Sequence, residues 1–203
     1  MANTKTLTAS NIRYLLAMKE LGRADGGARC IDIAAALQAT DGVSLGWDKG
    51  NRRADDTDFD RLLAEQLRLL GEYAGSRGQT ILIEVINRYE TNLFNTAAEL
   101  REFLTKWQPP HCRIHLDSFH MNIDEADMPA AIGTAGDLLG YFHVADSNRL
   151  APGRGHLDFA ALFSALERVN YRGTISLECI PGPDGLATGA EGYSYLTEVL
   201  NRR

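Results

Sequence analysis

Four residues whose side chains can bind a metal ion are spaced along the second part of this 203-residue chain at nearly regular intervals. They are Glu84, Asp117, His143 and Glu178, and the separations between them are 33, 26 and 35 residues. A β-strand with its crossover helix takes about 30 residues. The spacing therefore predicts one such residue at or just before the C-terminal end of each of four consecutive parallel strands, the rim where barrel active sites form.

Three carboxylates that converge on one point beside an imidazole repel each other unless a cation lies among them. This donor set suits Mn²⁺, Mg²⁺ or a similar divalent ion. The alternative for any one of these residues is an ordinary solvated acid or a satisfied core histidine. Because the four share one register, the sequence favours a metal site.

Three further polar residues follow the presumed ligands closely. Glu90 lies six residues after Glu84, His120 lies three after Asp117, and Arg149 lies six after His143. We expect all three in loops above the metal, where barrel enzymes make their substrate contacts. Each could equally be a surface charge.

The elements that would position these residues are visible from residue 80 onward, where short apolar runs alternate with amphipathic stretches. This alternation is typical of β/α units around a parallel sheet. The predicted strands are Val43–Trp47, Ile81–Ile86, Arg113–Phe119, Tyr141–Ala145 and Thr174–Ile180. The predicted helices run from Ser10 to Gly22, from Cys30 to Leu37, and over Phe59–Ala74, Thr96–Trp107, Met128–Leu139, Phe159–Val169 and Tyr193–Leu200.

Length and composition predict one α/β domain over residues 1–203, with the metal and active-site half at 80–203. The formal charge of −6 and the pI of about 5.4 disfavour nucleic acids and anionic membranes as partners. No apolar run approaches the roughly 18 residues of a membrane span. Cys30, Cys112 and Cys179 show no CxxC spacing, which agrees with a reducing compartment, and we expect a cytoplasmic protein.

Three segments resemble the ketose 3-epimerase branch of the xylose-isomerase-like barrel superfamily. They are IEVINRYE at 83–90, LDSFHMNI at 116–123 and FHVADSNR at 142–149, and the resemblance continues through APGRGH at 151–156 to the Leu-Glu pair at 177–178. The sequence is similar to the D-tagatose/D-psicose 3-epimerases and to the sugar phosphate isomerase/epimerase group.

The resemblance implies a role for each site residue. It implies that Glu84, Asp117, His143 and Glu178 bind one divalent metal ion, with Mn²⁺ first and Mg²⁺ or Co²⁺ as alternatives. It also implies that Glu84 and Glu178 form the acid/base pair. Glu90, His120 and Arg149 would bind the sugar.

The family members are eight-stranded barrels, whereas the five strands predicted here correspond to the fourth to eighth. We therefore expect an incomplete (β/α) TIM-barrel-like fold. An open sheet edge favours self-association into a homo-oligomer. The first 40 residues or a second subunit could also rebuild the missing wall.

The function predicted from these observations is metal-dependent epimerisation of a ketose, or of a ketose phosphate, through an enediolate. Glycine-rich turns at 153–155 and 181–185 leave a phosphate conceivable, although turn chemistry explains both. The alternatives are an aldose–ketose isomerase and an inactive remnant of the barrel. A metal-dependent DNA-repair endonuclease is disfavoured by the acidic charge and by only five histidines.

Overall fold

The computed structural model of the protein describes residues 42–46, 49–52 and 57–202, and these form one parallel β-sheet with helices packed against it. The strands are β1 (Val43–Leu45), β2 (Ile81–Glu84), β3 (Cys112–Asp117), β4 (Leu139–Val144) and β5 (Ile175–Leu177). They lie side by side in chain order, and every neighbouring pair is parallel. The sheet is a curled half-barrel, and the predicted fold of about five parallel strands is confirmed.

Helices connect the strands and cover the sheet. They are α1 (Phe59–Gly75), α2 (Ala97–Trp107), α3 (Ser118–Asp124), α4 (Met128–Ala135), α5 (Phe159–Arg168) and α6 (Gly185–Asn201), with a 3₁₀ turn at Gly136–Leu138. Every residue of β2 is buried, as expected for a parallel strand with protein on both faces. The core lies between the sheet and the apolar faces of the helices, and its fully buried residues include Leu67, Leu100, Ile132 and Phe142.

The strands end earlier than the sequence predicts, and the local cause is visible in β3. Its apolar run was expected to continue through Phe119, but α3 begins at Ser118. The reason is that Asp117 acts as an N-cap: its carboxylate accepts a hydrogen bond of 2.7 Å from the Phe119 backbone N–H. The sequence pattern did not predict this seven-residue helix.

Two helix boundaries also differ from the prediction. The helix expected over Met128–Leu139 ends at Ala135, because Gly136 takes a positive φ of 52° and starts the turn into β4. The helix expected near Tyr193–Leu200 is the second half of α6, which begins at Gly185 after the N-cap Asp184.

The predicted helices before residue 41, together with Cys30, lie outside the described residues. The two described cysteines, Cys112 and Cys179, are free thiols. None of the described helices has both the length and the apolar composition that a bilayer span requires.

Candidate functional site

The four predicted metal-binding residues meet at the C-terminal edge of the sheet. In the parallel register, Glu84 pairs with His115 and Asp117 pairs with His143, which places successive strand ends at one rim. One donor atom from each of Glu84, Asp117, His143 and Glu178 lies within 4.8 Å of the other three. His143 Nδ1 is central, at 3.0 Å from Glu178 Oε2, 3.6 Å from Asp117 Oδ2 and 3.8 Å from Glu84 Oε1.

Each side chain is positioned by a strand end. Glu84 is the last residue of β2 and Asp117 is the last residue of β3. His143 is the last residue but one of β4. Glu178 directly follows β5, and its backbone N–H donates to Val144 O at 3.1 Å, which extends the ladder between β4 and β5 by one residue.

The charges in the cluster shift one another's titration. Burial raises the pKa of Glu84 to about 7, and repulsion from Asp117 and Glu178 adds to this effect. Burial opposes protonation of His143, but the Asp117 and Glu178 carboxylates outweigh it and raise its pKa to about 9. Burial also opposes ionisation of Asp117, yet His143 and Arg149 hold its pKa below the usual range. The cluster therefore accumulates protons when no cation is present.

Two buried atoms of the cluster suit a cation. Glu84 Oε1 and His143 Nδ1 are shielded from solvent and make no hydrogen bond of good geometry, although His143 Nδ1 lies 3.0 Å from Glu178 Oε2. A buried donor or acceptor without a partner costs about 1–3 kcal/mol, and a divalent cation would satisfy both atoms at once. With the carboxylates of Asp117 and Glu178 the site offers an oxygen-rich donor set of the kind that Mn²⁺ and Mg²⁺ accept. The residues therefore fit a divalent metal ion.

Arg149 contacts two of the presumed ligands. Its Nη1 donates to Asp117 Oδ2 at 2.6 Å and its Nη2 donates to Glu178 Oε2 at 2.5 Å. The guanidinium also stacks against Phe119, with Cζ 4.9 Å from the ring centroid. Arg149 lies in the loop after β4, as predicted, with φ at 62°.

His120 lies close to both Glu84 and Glu90. The expectation that His120 lies in a loop is wrong, because it belongs to α3, whereas Glu90 does lie in the loop after β2. His120 Nε2 is 3.9 Å from Glu84 Oε1, and its Nδ1 is 3.9 Å from Glu90 Oε1. Burial lowers the pKa of His120.

Two buried basic residues beside the cluster were not predicted from the sequence. Lys49 is 6% exposed, and its Nζ donates to Gly46 O at 3.1 Å. Burial lowers the pKa of Lys49 to about 8, although Glu84 and Glu90 oppose the shift. Lys49 lies in a polar, highly charged stretch of the sequence, and nothing in that pattern predicts a buried side chain.

His115 is the second residue that was missed. It is fully buried one layer below Asp117, with its ring centroid 4.2 Å from that of His143, and its Nδ1 is 2.9 Å from Ser44 Oγ. Burial lowers the pKa of His115 to about 3, and His143 adds to the effect. The sequence did contain a signal for His115, because it lies two residues before Asp117 and side chains two apart on a strand lie on the same face of the sheet.

An open cleft of about 420 Å³ adjoins the predicted metal-binding residues. Its walls include Glu84 and Glu178 as well as the three residues predicted to bind substrate, Glu90, His120 and Arg149. A cleft of this size, with charged and hydrogen-bonding groups on its walls, suits a small polar molecule. The fold and site together define a parallel α/β protein with a candidate divalent-cation centre at its strand ends.

The chain belongs to the xylose isomerase-like TIM barrel family, which matches residues 14–198. The L-ribulose 3-epimerase of Mesorhizobium japonicum is 36% identical over 174 residues, covering 86% of this chain and 55% of that protein. The D-psicose 3-epimerase of Enterocloster bolteae is 41% identical over 154 residues, covering 72% of this chain and 51% of that protein. The predicted resemblance to ketose 3-epimerases is thus confirmed.

Solved structures agree with this assignment. A crystal structure of D-allulose 3-epimerase from Methylomonas sp. aligns with a TM-score of 0.75 at 28% identity, covering 95% of this chain and 72% of that one. The chain spans between 39% and 55% of the length of the relatives named L-ribulose 3-epimerase and D-psicose 3-epimerase.

Proposed function

We propose that this protein is a divalent-metal-dependent epimerase that inverts the carbon beside the carbonyl of a ketose or ketose phosphate. The observation that carries the proposal is the convergence of Glu84, Asp117, His143 and Glu178 at the mouth of a cleft suited to a small polar molecule. The similarity to proteins named ketose 3-epimerases supports it.

In this proposal the four converging residues bind one ion, with Mn²⁺ expected first and Mg²⁺ or Co²⁺ as alternatives. The two orphaned buried atoms, Glu84 Oε1 and His143 Nδ1, support this assignment. When bound, the cation supplies electrostatic stabilisation of negative charge on the substrate oxygens.

Glu84 and Glu178 are the proposed proton carriers. One carboxylate takes the proton from the carbon beside the carbonyl, which leaves an enediolate, and the other, as the carboxylic acid, returns a proton to the opposite face. Inversion requires two carriers because removal and return occur on different faces. In the cation-free protein the pKa of Glu84 is about 7, and a bound divalent cation would favour the ionised carboxylate, the form that accepts a proton.

Glu90, His120 and Arg149 are the proposed sugar-binding residues. All three line the cleft, and they offer both an acceptor and donors to the hydroxyl groups of a sugar. Arg149 has a second task in this proposal, because its contacts with Asp117 and Glu178 orient both carboxylates.

The proposal is tested by incubating the protein and Mn²⁺ with free ketoses and with ketose phosphates in deuterated water. We expect the 3-epimer to accumulate with deuterium at the inverted carbon, and chelation to stop the reaction. The Glu178→Gln variant should lose activity. The exposed glutamate variant Glu102→Gln, on α2, serves as the matched control and should keep it.

The products also separate the alternatives. An aldose product would replace the proposal with aldose–ketose isomerisation, which needs nearly the same groups. Absence of any product from a folded, cation-binding chain would favour the inactive remnant. In both cases the epimerase proposal would be abandoned.

A further inference from the structure

Asn87 is a buried amide, 1% exposed, in the loop between β2 and α2. It lies between two of the residues that line the cleft. Its Nδ2 is 2.8 Å from Glu90 Oε1 and 2.7 Å from His120 Nδ1. The epimerisation proposal above gives Asn87 no role.

The orientation of the Asn87 amide is fixed by its neighbours. The backbone N–H of Tyr89, which can only donate, donates to the Asn87 side chain at 3.0 Å, so the atom there is the oxygen Oδ1. The atom facing Glu90 and His120 must therefore be the nitrogen Nδ2. The contact with Glu90 is consistent with this orientation, because a carboxylate accepts hydrogen bonds and Nδ2 can donate one.

This orientation determines which nitrogen of His120 has the proton. The two hydrogens of Asn87 Nδ2 are donated to Glu90 Oε1 and to His120 Nδ1. An imidazole nitrogen that accepts a hydrogen bond has no proton of its own, so the ring proton is on Nε2. Nε2 lies on the side of the ring that faces the cluster, 3.9 Å from Glu84 Oε1.

Glu90 would favour the opposite arrangement without this amide. Its Oε1 lies only 3.9 Å from His120 Nδ1, and a carboxylate facing a ring nitrogen stabilises a proton there. The NH₂ group of Asn87 donates one hydrogen bond to Glu90 and one to His120 Nδ1. The Glu90 carboxylate therefore accepts from Asn87 and does not draw a proton onto His120 Nδ1.

We propose that Asn87 is a positioning residue that fixes His120 as the Nε2–H tautomer, so that a hydrogen-bond donor faces the cleft. The ligand group that this donor would recognise is a hydroxyl or carbonyl oxygen. Its use on a sugar rests on the proposed function, whereas the tautomer does not.

The experiment is a long-range ¹H–¹⁵N correlation spectrum of the metal-free protein, which distinguishes protonated from unprotonated ring nitrogens. The chain has five histidines, and the signals of His120 are assigned by their loss in His120→Gln. We expect an unprotonated Nδ1 and a protonated Nε2. A protonated Nδ1 in the unmodified protein would overturn the proposal.

Two variants test the cause. Asn87→Asp keeps the acceptor for the Tyr89 N–H but removes the donor, and Asn87→Ala removes both. Each should move a proton onto His120 Nδ1. If Asn87→Asp does not fold, Asn87→Ala gives the same test. An unchanged tautomer in a folded variant would overturn the proposal.

Asn95→Ala is the matched control, because Asn95 Nδ2 closes the same loop through Ile86 O at 2.6 Å and Thr91 O at 2.9 Å without contacting His120. It should leave the His120 signals in place. On a ketose, Asn87→Ala should raise KM about tenfold, the scale of one hydrogen bond, with a smaller change in kcat. The expected tautomer without any ketose reaction would refute the proposed function while supporting the positioning role.

Discussion

The two glutamates of the candidate site differ in their surroundings, and this difference decides which substitution is most informative. Glu84 is buried between β2 and α3, whereas Glu178 is half-exposed at 45% of its side chain and contacts Arg149. A glutamine at 178 keeps the size and one donor oxygen. Because Glu84 is buried among the other presumed ligands, its replacement would disturb the cluster more widely, so Glu178 is the better test of proton transfer.

We expect Glu178→Gln to weaken metal binding modestly and to lower epimerisation by about 10²-fold or more, the usual scale for loss of a positioned general base. The measurement is exchange of the substrate proton with deuterated solvent, together with chiral analysis of the product. His120→Ala should instead raise KM more than it lowers kcat. A Glu178→Gln protein that exchanges and inverts at the parent rate would refute the two-glutamate mechanism.

The titration of the site predicts how stability and cation binding depend on pH. The pKa of Glu84 is raised from 4.5 to about 7, so its contribution to stability is complete below pH 4.5 and is lost as the pH rises through 7. The pKa of His143 is raised from 6.5 to about 9, so its contribution is complete below pH 6.5 and is lost as the pH rises through 9. The cation-free protein should therefore lose stability as the pH rises from 4.5 to about 9.

A divalent cation competes with the same protons. We expect Mn²⁺ to raise Tm, and the increase to become larger from about pH 5 to about pH 9, with about 2.7 kcal/mol of stabilisation at 100 times Kd. The measurement is thermal unfolding at several pH values with and without the ion. His143→Gln should abolish most of the increase. A Tm indifferent to millimolar Mn²⁺, Co²⁺ and Mg²⁺ would exclude the metal site.

At the scale of elements, the loop after β4 is organised by one buried carboxylate. Asp146 is 1% exposed and accepts backbone N–H groups of Ser147 at 2.8 Å, Gly153 at 2.8 Å and Leu157 at 3.1 Å. Burial opposes ionisation of Asp146, but these donors outweigh it and lower its pKa. Gly155 is required beside it, because a Cβ there would lie 2.2 Å from Asp146 Oδ1. This loop presents Arg149 to the site.

We expect Asp146→Asn to destabilise the protein by about 1–3 kcal/mol, because an amide nitrogen placed at Oδ2 cannot accept from Gly153. Urea unfolding measures the change, and limited proteolysis should cut the loop faster. Asp158→Asn is the matched control: Asp158 is the N-cap of α5, where asparagine caps equally well, and its effect should be a few tenths of a kcal/mol. Equal stability of the two variants would contradict the role given to Asp146.

The elements that could be predicted from sequence are those with a strong local pattern. The apolar runs around Ile83, Leu116 and Phe142 are continuous because both faces of a parallel sheet are covered, and they indicated the strands and their order. The regular spacing of Glu84, Asp117, His143 and Glu178 indicated that they meet, and the structure brings them together.

What could not be predicted depends on contacts between distant residues. The start of α3 depends on the hydrogen bond from the Phe119 N–H to the Asp117 carboxylate. The local sequence is equally compatible with a continuing strand, so this hydrogen bond decides where the helix begins. The burial of Lys49 and the two contacts of Arg149 with the presumed ligands depend on how separate loops fold over the rim. The tautomer proposed for His120 depends on Asn87, 33 residues away.

At the scale of the whole molecule, β5 is the last strand of the described sheet. β5 pairs with β4 and with no other described strand. Large apolar residues on β5, the loop after it and α6 face solvent: Ile175, Ile180, Leu186, Tyr193 and Leu200. Leu186 is 88% exposed and Tyr193 is 72% exposed, which is unusual for a soluble surface when several such residues lie on neighbouring elements.

We therefore expect the chain to self-associate through this end, because an unpaired parallel strand edge beside apolar side chains favours burial against a second copy. Light scattering coupled to gel filtration, at several protein concentrations, measures the mass. Leu186→Glu combined with Tyr193→Glu should shift the protein to the monomer. Leu69→Glu, a similar change at an exposed leucine of α1, should not. A monomeric mass for the unmodified chain at all concentrations, with no binding of a dye that reports exposed apolar surface, would refute the prediction.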